Sequence, residues 1–392
     1  MHLRKLSNTL ILSLLISPLF VSAQEKEILS EDRLNLFEYN KEQNQQSSKK
    51  LKKDWINPIT LTYAKSYGDL YDYVKSSITI NQPIFKSGGI FSAIKYADAS
   101  YQYNNIDINM QKKELIKSVT TMLFNLHIID LNLTKNETLL KNAEIDIIRK
   151  KEQVLNGFLD TSYLDNAILD ANKIKNTIAE LFYQKEELNN SFSNIASGEY
   201  KSFQLPKLAI TDKETFLKNS TELQKAKSDI KQKNYLTDMT IAKYLPTISA
   251  NGSHSQYHDV EKDLISNKNT YSYGVSVSMP LDVRAFNDIQ TQRISYLKAK
   301  LELKNKSLEE ENFYKTKLAK IKMLNNKKKI AKDDYNLYNS LLEIITEEKE
   351  AELKTQSDVD TLLNSQKIKS IELKIYDLEE QIELLEIYSK IS

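Results

Sequence analysis

The chain has 392 residues and sets 55 Lys and Arg against 53 Asp and Glu, with 7 Gly, 6 Pro and no Cys. Without cysteine it has no disulfide framework and no thiolate-held metal or iron–sulfur cluster. A formal charge of +2 lacks the basic excess of a nucleic-acid binder, so no nucleic-acid partner is expected. Average usage would place about 27 Gly and about 20 Pro in a chain of this length. So little punctuation implies long uninterrupted elements.

Residues 1–23 read as a secretory signal peptide. Arg4 and Lys5 form its charged start, an apolar run extends from Leu10 to Val21, and Val21-Ser22-Ala23 is a small-residue cleavage site. The run is too short for a membrane-spanning helix. Loss of Arg4 and Lys5 brings the exported chain to charge balance, and it holds no cysteine that could accept a lipid.

After the leader the chain divides into two repeats, 24–205 and 206–392. The first is expected to run helix, β-hairpin over 57–85, long helix over 88–155 and helix over 160–197. The second repeats this order: helix over 212–243, β-hairpin over 245–282, long helix over 283–350 and helix over 356–391. Between Ile90 and Asn156 there is neither Gly nor Pro, and none follows Pro280. A single helix over 90–156 would be on the order of 100 Å long, which requires lateral packing along its length. The final helix shows how: Ile368, Ile371, Ile375, Leu378, Ile382 and Leu385 recur at heptad spacing. An earlier ladder runs Leu164, Ala167, Ala171, Ile174, Ile178, Leu181, Lys185, Leu188, Phe192 and Ile195. Lys185 is its one polar rung, read as a packed stem with its amine in water.

Four other segments alternate apolar and polar residues, at 58–67, 73–85, 245–257 and 270–281. In the last, Tyr271, Tyr273, Val275, Val277 and Met279 oppose Ser272, Gly274, Ser276 and Ser278. Period two marks strands. A Tyr/Val/Ile face opposite small polar residues suits a wall between lipid and a wet lumen, and a half-buried soluble hairpin would alternate too.

The halves align. Pro83 and Pro280 each close a strand before a long helix, and Ala171, Ile174 and Ile178 superpose on Ile368, Ile371 and Ile375. Duplicated units with few internal apolar contacts pack into closed assemblies.

This arrangement resembles the TolC family of outer-membrane channels over nearly the whole exported chain. The residues that carry the likeness are Gln82-Pro83-Ile84-Phe85 with Gly88-Gly89, Met279-Pro280-Leu281, and Tyr244-Leu245-Pro246. At the helical turns they are Gly157 with Ser162-Tyr163-Leu164-Asp165, and Ser357-Asp358-Val359-Asp360. The resemblance implies a mainly α fold with membrane β: a homotrimer in which each protomer gives four strands to a twelve-stranded barrel in outer-membrane lipid. The long coiled-coil helices would continue into the periplasm as an α-barrel. Hairpin loops near 65–72 and 259–269 would face outside. The turns holding Gly157, Ser162, Asp165, Gln356 and Ser357 would dock a periplasmic adaptor (a membrane fusion protein) linked to an inner-membrane RND or ABC pump. Asp358 and Asp360 fall where the family narrows its tunnel, and a ring of carboxylates there would attract cations. One departure is that the second turn has no glycine, offering Glu352 or Lys354 in place of Gly157.

No catalytic constellation emerges: there is no Gly-rich phosphate loop, no GxSxG and no HExxH, so no cofactor and no enzyme activity are expected. His254 and His258 share one strand face, where polar residues near a barrel mouth are the plain reading. His127 lies inside a long helix, packed or facing the lumen. The basic run at 49–53 reads as a solvated helix face, as do Lys327–Lys329 and Glu309–Glu311. The reading is therefore a passive outer-membrane exit duct for small molecules or for a type I secreted polypeptide. The competing reading is a periplasmic coiled-coil adaptor or structural protein without a membrane barrel.

Overall fold

The computed structural model describes residues 28–68, 72–259 and 268–392. The leader read over 1–23 lies outside the described residues, as do parts of both hairpin loops. The elements run α1 (Glu31–Lys53), β1 (Thr60–Ser66), β2 (Tyr73–Phe85), α2 (Gly89–Leu155), α3 (Thr161–Ser193), α4 (Lys213–Asn219), α5 (Thr221–Lys243), β3 (Thr247–Asp259), β4 (Asn269–Ser278), α6 (Ala285–Glu350) and α7 (Gln356–Tyr388). No helix among the described residues is long and apolar enough to cross a membrane.

The helix expected over 212–243 is broken at Ser220. Its φ of −56° and ψ of 120° leave the helical region, and its Oγ accepts from Leu223 N at 3.4 Å to cap α5. The break has a tertiary cause, because Ser220 pairs with Ile391 as an isolated antiparallel bridge. A matching bridge joins Leu29, just before α1, to Ala196, just after α3, as Ser220, just before α5, joins Ile391, just after α7. This duplicated bridge has no apolar period and leaves no trace in the sequence pattern.

The chain packs into two compact units, each drawing on both repeats. Among the described residues, one comprises 28–35, 114–210 and 318–386; the other comprises 36–68, 72–113, 211–259, 268–317 and 387–392.

In the first unit, Ile116, Val119, Leu123 and Leu126 of α2 pack with Phe192, Ala196, Ile28 and Leu29. The heptad ladder of α7 is buried at Ile368, Ile371, Ile375 and Leu385. Ion pairs give the order of helices. Asp130 of α2 holds Lys185 of α3 at 2.7 Å, Lys135 of α2 holds Glu372 of α7 at 2.9 Å, and Lys369 of α7 holds Asp334 of α6 at 3.1 Å. Within this unit α2 and α7 are thus flanked on both sides. α3 and α6 leave apolar residues exposed, among them Phe182 and Tyr183 on one and Ile330 and Leu337 on the other.

Two expectations are corrected here. The Lys185 amine is not simply in water: Asp130 binds it, and Tyr200 OH donates to the same carboxylate at 2.8 Å. The partner lies 55 positions away on another helix, where heptad spacing cannot show it. Lys328 is likewise no mere solvated stripe, since it pairs with Asp377 at 2.6 Å and with Glu380. His127 is packed, its ring edge-on to Tyr200 at 5.7 Å and its Nε2 buried without a hydrogen-bond partner. Burial holds its pKa below the usual histidine value.

In the second unit, α1 docks on α2 through Asn44 Nδ2 to Tyr101 O at 3.1 Å and Ser48 Oγ to Ala97 O at 3.4 Å. Lys52 of the basic run pairs with Asp98 at 2.5 Å. Phe216 of α4 stacks on Tyr314 of α6, with ring centroids 5.2 Å apart. Glu310, expected on a solvated stripe, is 2% exposed and receives Lys390 Nζ at 2.6 Å and Ser220 Oγ at 3.3 Å. A carboxylate can be buried only because the C-terminal segment returns a cation to it.

Candidate functional site

Two regions contain the residues singled out in the sequence: the sheet, in the second unit, and the helical turns, in the first.

The sheet is antiparallel in the order β1-β2-β3-β4. Its register separates two faces. Leu61 pairs with Ile78, Ile78 with His254 and His254 with Tyr271, while Ile80, Gly252 and Tyr273 form the next row. Leu61, Tyr63, Ile78, Ile80, Tyr271, Tyr273, Val275 and Val277 thus share one face and all are exposed, Tyr273 at 93%. Such a contiguous apolar face needs a cover. The opposite face carries Thr60, Thr62, Ser77, Thr79, Asn81, Ser249, Asn251, Ser253, Ser272 and Ser276. Its hydroxyls bond across strands, Asn251 Nδ2 to Ser276 Oγ and Ser253 to Ser272, both at 2.9 Å. β1 and β4 are the outer strands, so each leaves an unpaired backbone edge within this chain.

His254 stacks on Tyr271 at 5.5 Å, and His258 lies 2.7 Å from Ser76 Oγ. Among the described residues no group of three His, Cys, Asp or Glu could hold a metal.

The strand-to-helix junctions differ. Pro83 pairs with Ser249 at a shift of register just before β2 ends, where a residue without an N–H is tolerated. The chain then turns through Ser87 and Gly88 at φ 42° and 82°. Gly89 starts α2 where a Cβ would sit 2.8 Å from Ala242 Cβ. Pro280 lies beyond β4 and is followed by Asp282, whose Oδ1 accepts from Arg284 N at 2.9 Å.

The two helical turns share one geometry. Gly157 and Glu352 have φ of 74° and 61°. In the first, Phe158 N reaches Gln153 O at 2.8 Å and Gly157 N reaches Val154 O at 3.0 Å. In the second, Leu353 N reaches Glu348 O at 2.8 Å and Glu352 N reaches Lys349 O at 2.9 Å. Both are Schellman ends, and Glu352 rather than Lys354 replaces the glycine. An exposed apolar residue follows each, Phe158 and Leu353.

Asp160 caps α3, accepting from Ser162 N at 2.8 Å, and this bond holds its pKa low. Asp165 and Ser357 are exposed, and the Ser357 carbonyl accepts from Thr361 Oγ1 at 2.7 Å. Asp358 Oδ2 accepts from Thr355 N at 3.0 Å and from Thr355 Oγ1 at 2.8 Å, while Thr355 Oγ1 accepts in turn from Asp358 N at 3.3 Å. This is a capping box. Its Oδ1 also receives Arg149 of α2 at 2.7 Å, an ion pair joining the two repeats that sequence spacing did not show. The Thr355 bonds, with Arg149 second to them, keep the Asp358 pKa below the ordinary range. Asp360 has a different setting. It takes one bond, from Gln356 Nε2 at 2.7 Å, and lines an open cleft of about 360 Å³ with Lys141, Glu144, Ile148 and Leu363.

No family model matches the chain, and no curated protein matches it in sequence. Solved structures do match. The outer membrane protein VceC of Vibrio cholerae gives a TM-score of 0.72 at 12% identity, covering 92% of this chain and 93% of that one. The Campylobacter jejuni CmeC outer membrane channel gives 0.71 at 13% identity, covering 92% and 83%. CusC, whose structures concern transmembrane channel formation, gives 0.70 at 14% identity, covering 95% and 91%. The chain therefore has the TolC-like fold of outer-membrane channel proteins.

Proposed function

We propose that three copies of this chain form a passive exit duct in the outer membrane, serving a tripartite export system that moves small molecules or a secreted polypeptide. The observation that carries this reading is the two-faced sheet with its two open edges. Four strands cannot close a barrel and an open edge is too costly in lipid. Joining β1 of one copy to β4 of the next removes every edge, sets the exposed apolar face against lipid and turns the hydroxyl face to a wet lumen. A soluble coiled-coil spacer or adaptor would leave the apolar face in water.

In this arrangement the leader at 1–23 exports the chain, and the long helices extend into the periplasm. The turns with Gly157, Ser162, Asp165, Gln356 and Ser357 dock the adaptor, with Phe158 and Leu353 as apolar contacts and an RND or ABC pump beyond. Asp358 is engaged by Thr355 and Arg149, so Asp360 is the better candidate for a carboxylate ring at the periplasmic constriction.

A photo-crosslinking residue at Gln356 tests the docking. Mass spectrometry of the membrane fraction should find an adaptor joined to the chain, with a proton-driven or ATP-driven pump in the same complex. Finding neither an adaptor nor a self-crosslink overturns the docking role of the turns. Release of the chain from membranes by carbonate wash overturns the barrel.

A further inference from the structure

The hydroxyl face of the sheet holds one charged side chain among the described residues. Thr60, Thr62, Ala64 and Ser66 represent β1 on that face; Ser77, Thr79 and Asn81 belong to β2; Ser249, Asn251, Ser253, Ser255 and Tyr257 to β3; and Thr270, Ser272, Gly274, Ser276 and Ser278 to β4. The remaining β2 position with a charge is Lys75, paired with Ala64 on one side and with Tyr257 on the other.

Lys75 is also held in place. It is half-buried, and its Nζ lies 5.4 Å from the centroid of the Tyr257 ring. Tyr73 meets the same ring edge-on at 5.7 Å. A cation over an aromatic face keeps its charge while losing part of its freedom. Its position is therefore fixed on the wall, near the end of the sheet where β2 begins and β3 ends.

We infer that Lys75 gives the strand-lined passage a preference for anions. The inference rests on the channel reading, in which the hydroxyl face is the lumen and the trimer repeats Lys75 three times around the axis. Among the described residues no other charge lies on this face, so a ring of fixed cations there raises the local anion concentration and lowers that of cations. The effect depends on salt. At physiological ionic strength the Debye length is about 8 Å, while at about 0.01 M it is about 30 Å and the field reaches across the lumen. The solutes favoured at this end are small organic or inorganic anions.

Planar-bilayer recordings of the purified assembly in a potassium chloride gradient, with the dilute side at about 0.01 M, test this. Lys75→Gln should move the reversal potential toward the potassium equilibrium potential, and Lys75→Glu should move it further, a several-fold change in permeability ratio. Lys65→Gln removes a lysine from the opposite face of β1 and should leave the reversal potential unchanged. A Lys75→Glu shift no larger than that of Lys65→Gln overturns the inference while the channel stands. Absence of conducting events from the wild-type protein overturns the channel reading, and the inference with it.

Discussion

Gly157 and Glu352 occupy the same left-handed corner of the backbone, at φ 74° and 61°, one in each helical turn. The turns are hydrogen-bonded alike, yet only one has the residue that adopts this conformation without a Cβ penalty. Glu352→Gly should stabilise the second hairpin by about 0.5–1 kcal/mol, and Gly157→Ala should destabilise the first by about 1 kcal/mol. Denaturant unfolding of the two variants checks both signs.

The Glu310–Lys390 pair is asymmetric, with side-chain exposures of 2% and 28%. Lys390→Met strands a buried carboxylate beside Ser220 and should cost about 3–5 kcal/mol. Glu310→Gln leaves a lysine that can reach water, at about 1–2 kcal/mol. Thermal unfolding should rank the lysine variant as clearly the less stable; equal losses would contradict the asymmetry.

Acid should loosen the tie between α4 and α6. Hydrogen bonds from Lys213 and then Lys315 lower the Glu311 pKa from 4.5 to about 2. A depressed folded-state pKa means the stabilisation is fully present above the unfolded value and is lost as pH falls toward the folded one. Stability should therefore decline between about pH 4.5 and about pH 2, and Glu311→Gln should flatten that part of the profile. Asp358 behaves in the same sense at the second turn, so Asp358→Asn should do likewise there.

At the first strand-to-helix junction, Gly89→Ala brings two Cβ atoms to 2.8 Å. Such overpacking typically costs about 1–3 kcal/mol. The double variant Gly89→Ala with Ala242→Gly should recover most of the loss, and a double-mutant cycle measures how much.

Period-two alternation at 58–67 and 270–281 marked the strands, because a β side chain has two faces and this sheet keeps one apolar. Heptad spacing placed Ile368, Ile371 and Ile375 in the buried seam of α7 for an equally local reason. The ion pairs Lys185–Asp130, Glu310–Lys390 and Arg149–Asp358 were invisible, since each joins residues far apart in sequence and charged side chains carry no period. The same holds at Ser220, which lies in a stretch, 212–243, that reads as one helix until the C-terminal segment bridges it.

The order of elements, the strand faces and the duplicated plan were determined by the sequence alone, through local rules of spacing and polarity. Which charges are buried, which residue fills the glycine-like corner of the second turn and which of Asp358 and Asp360 is already engaged were decided only by tertiary structure. Those outcomes depend on distances between segments that the chain's own periodicity does not encode, and burial makes each of them matter by weakening the competition from water.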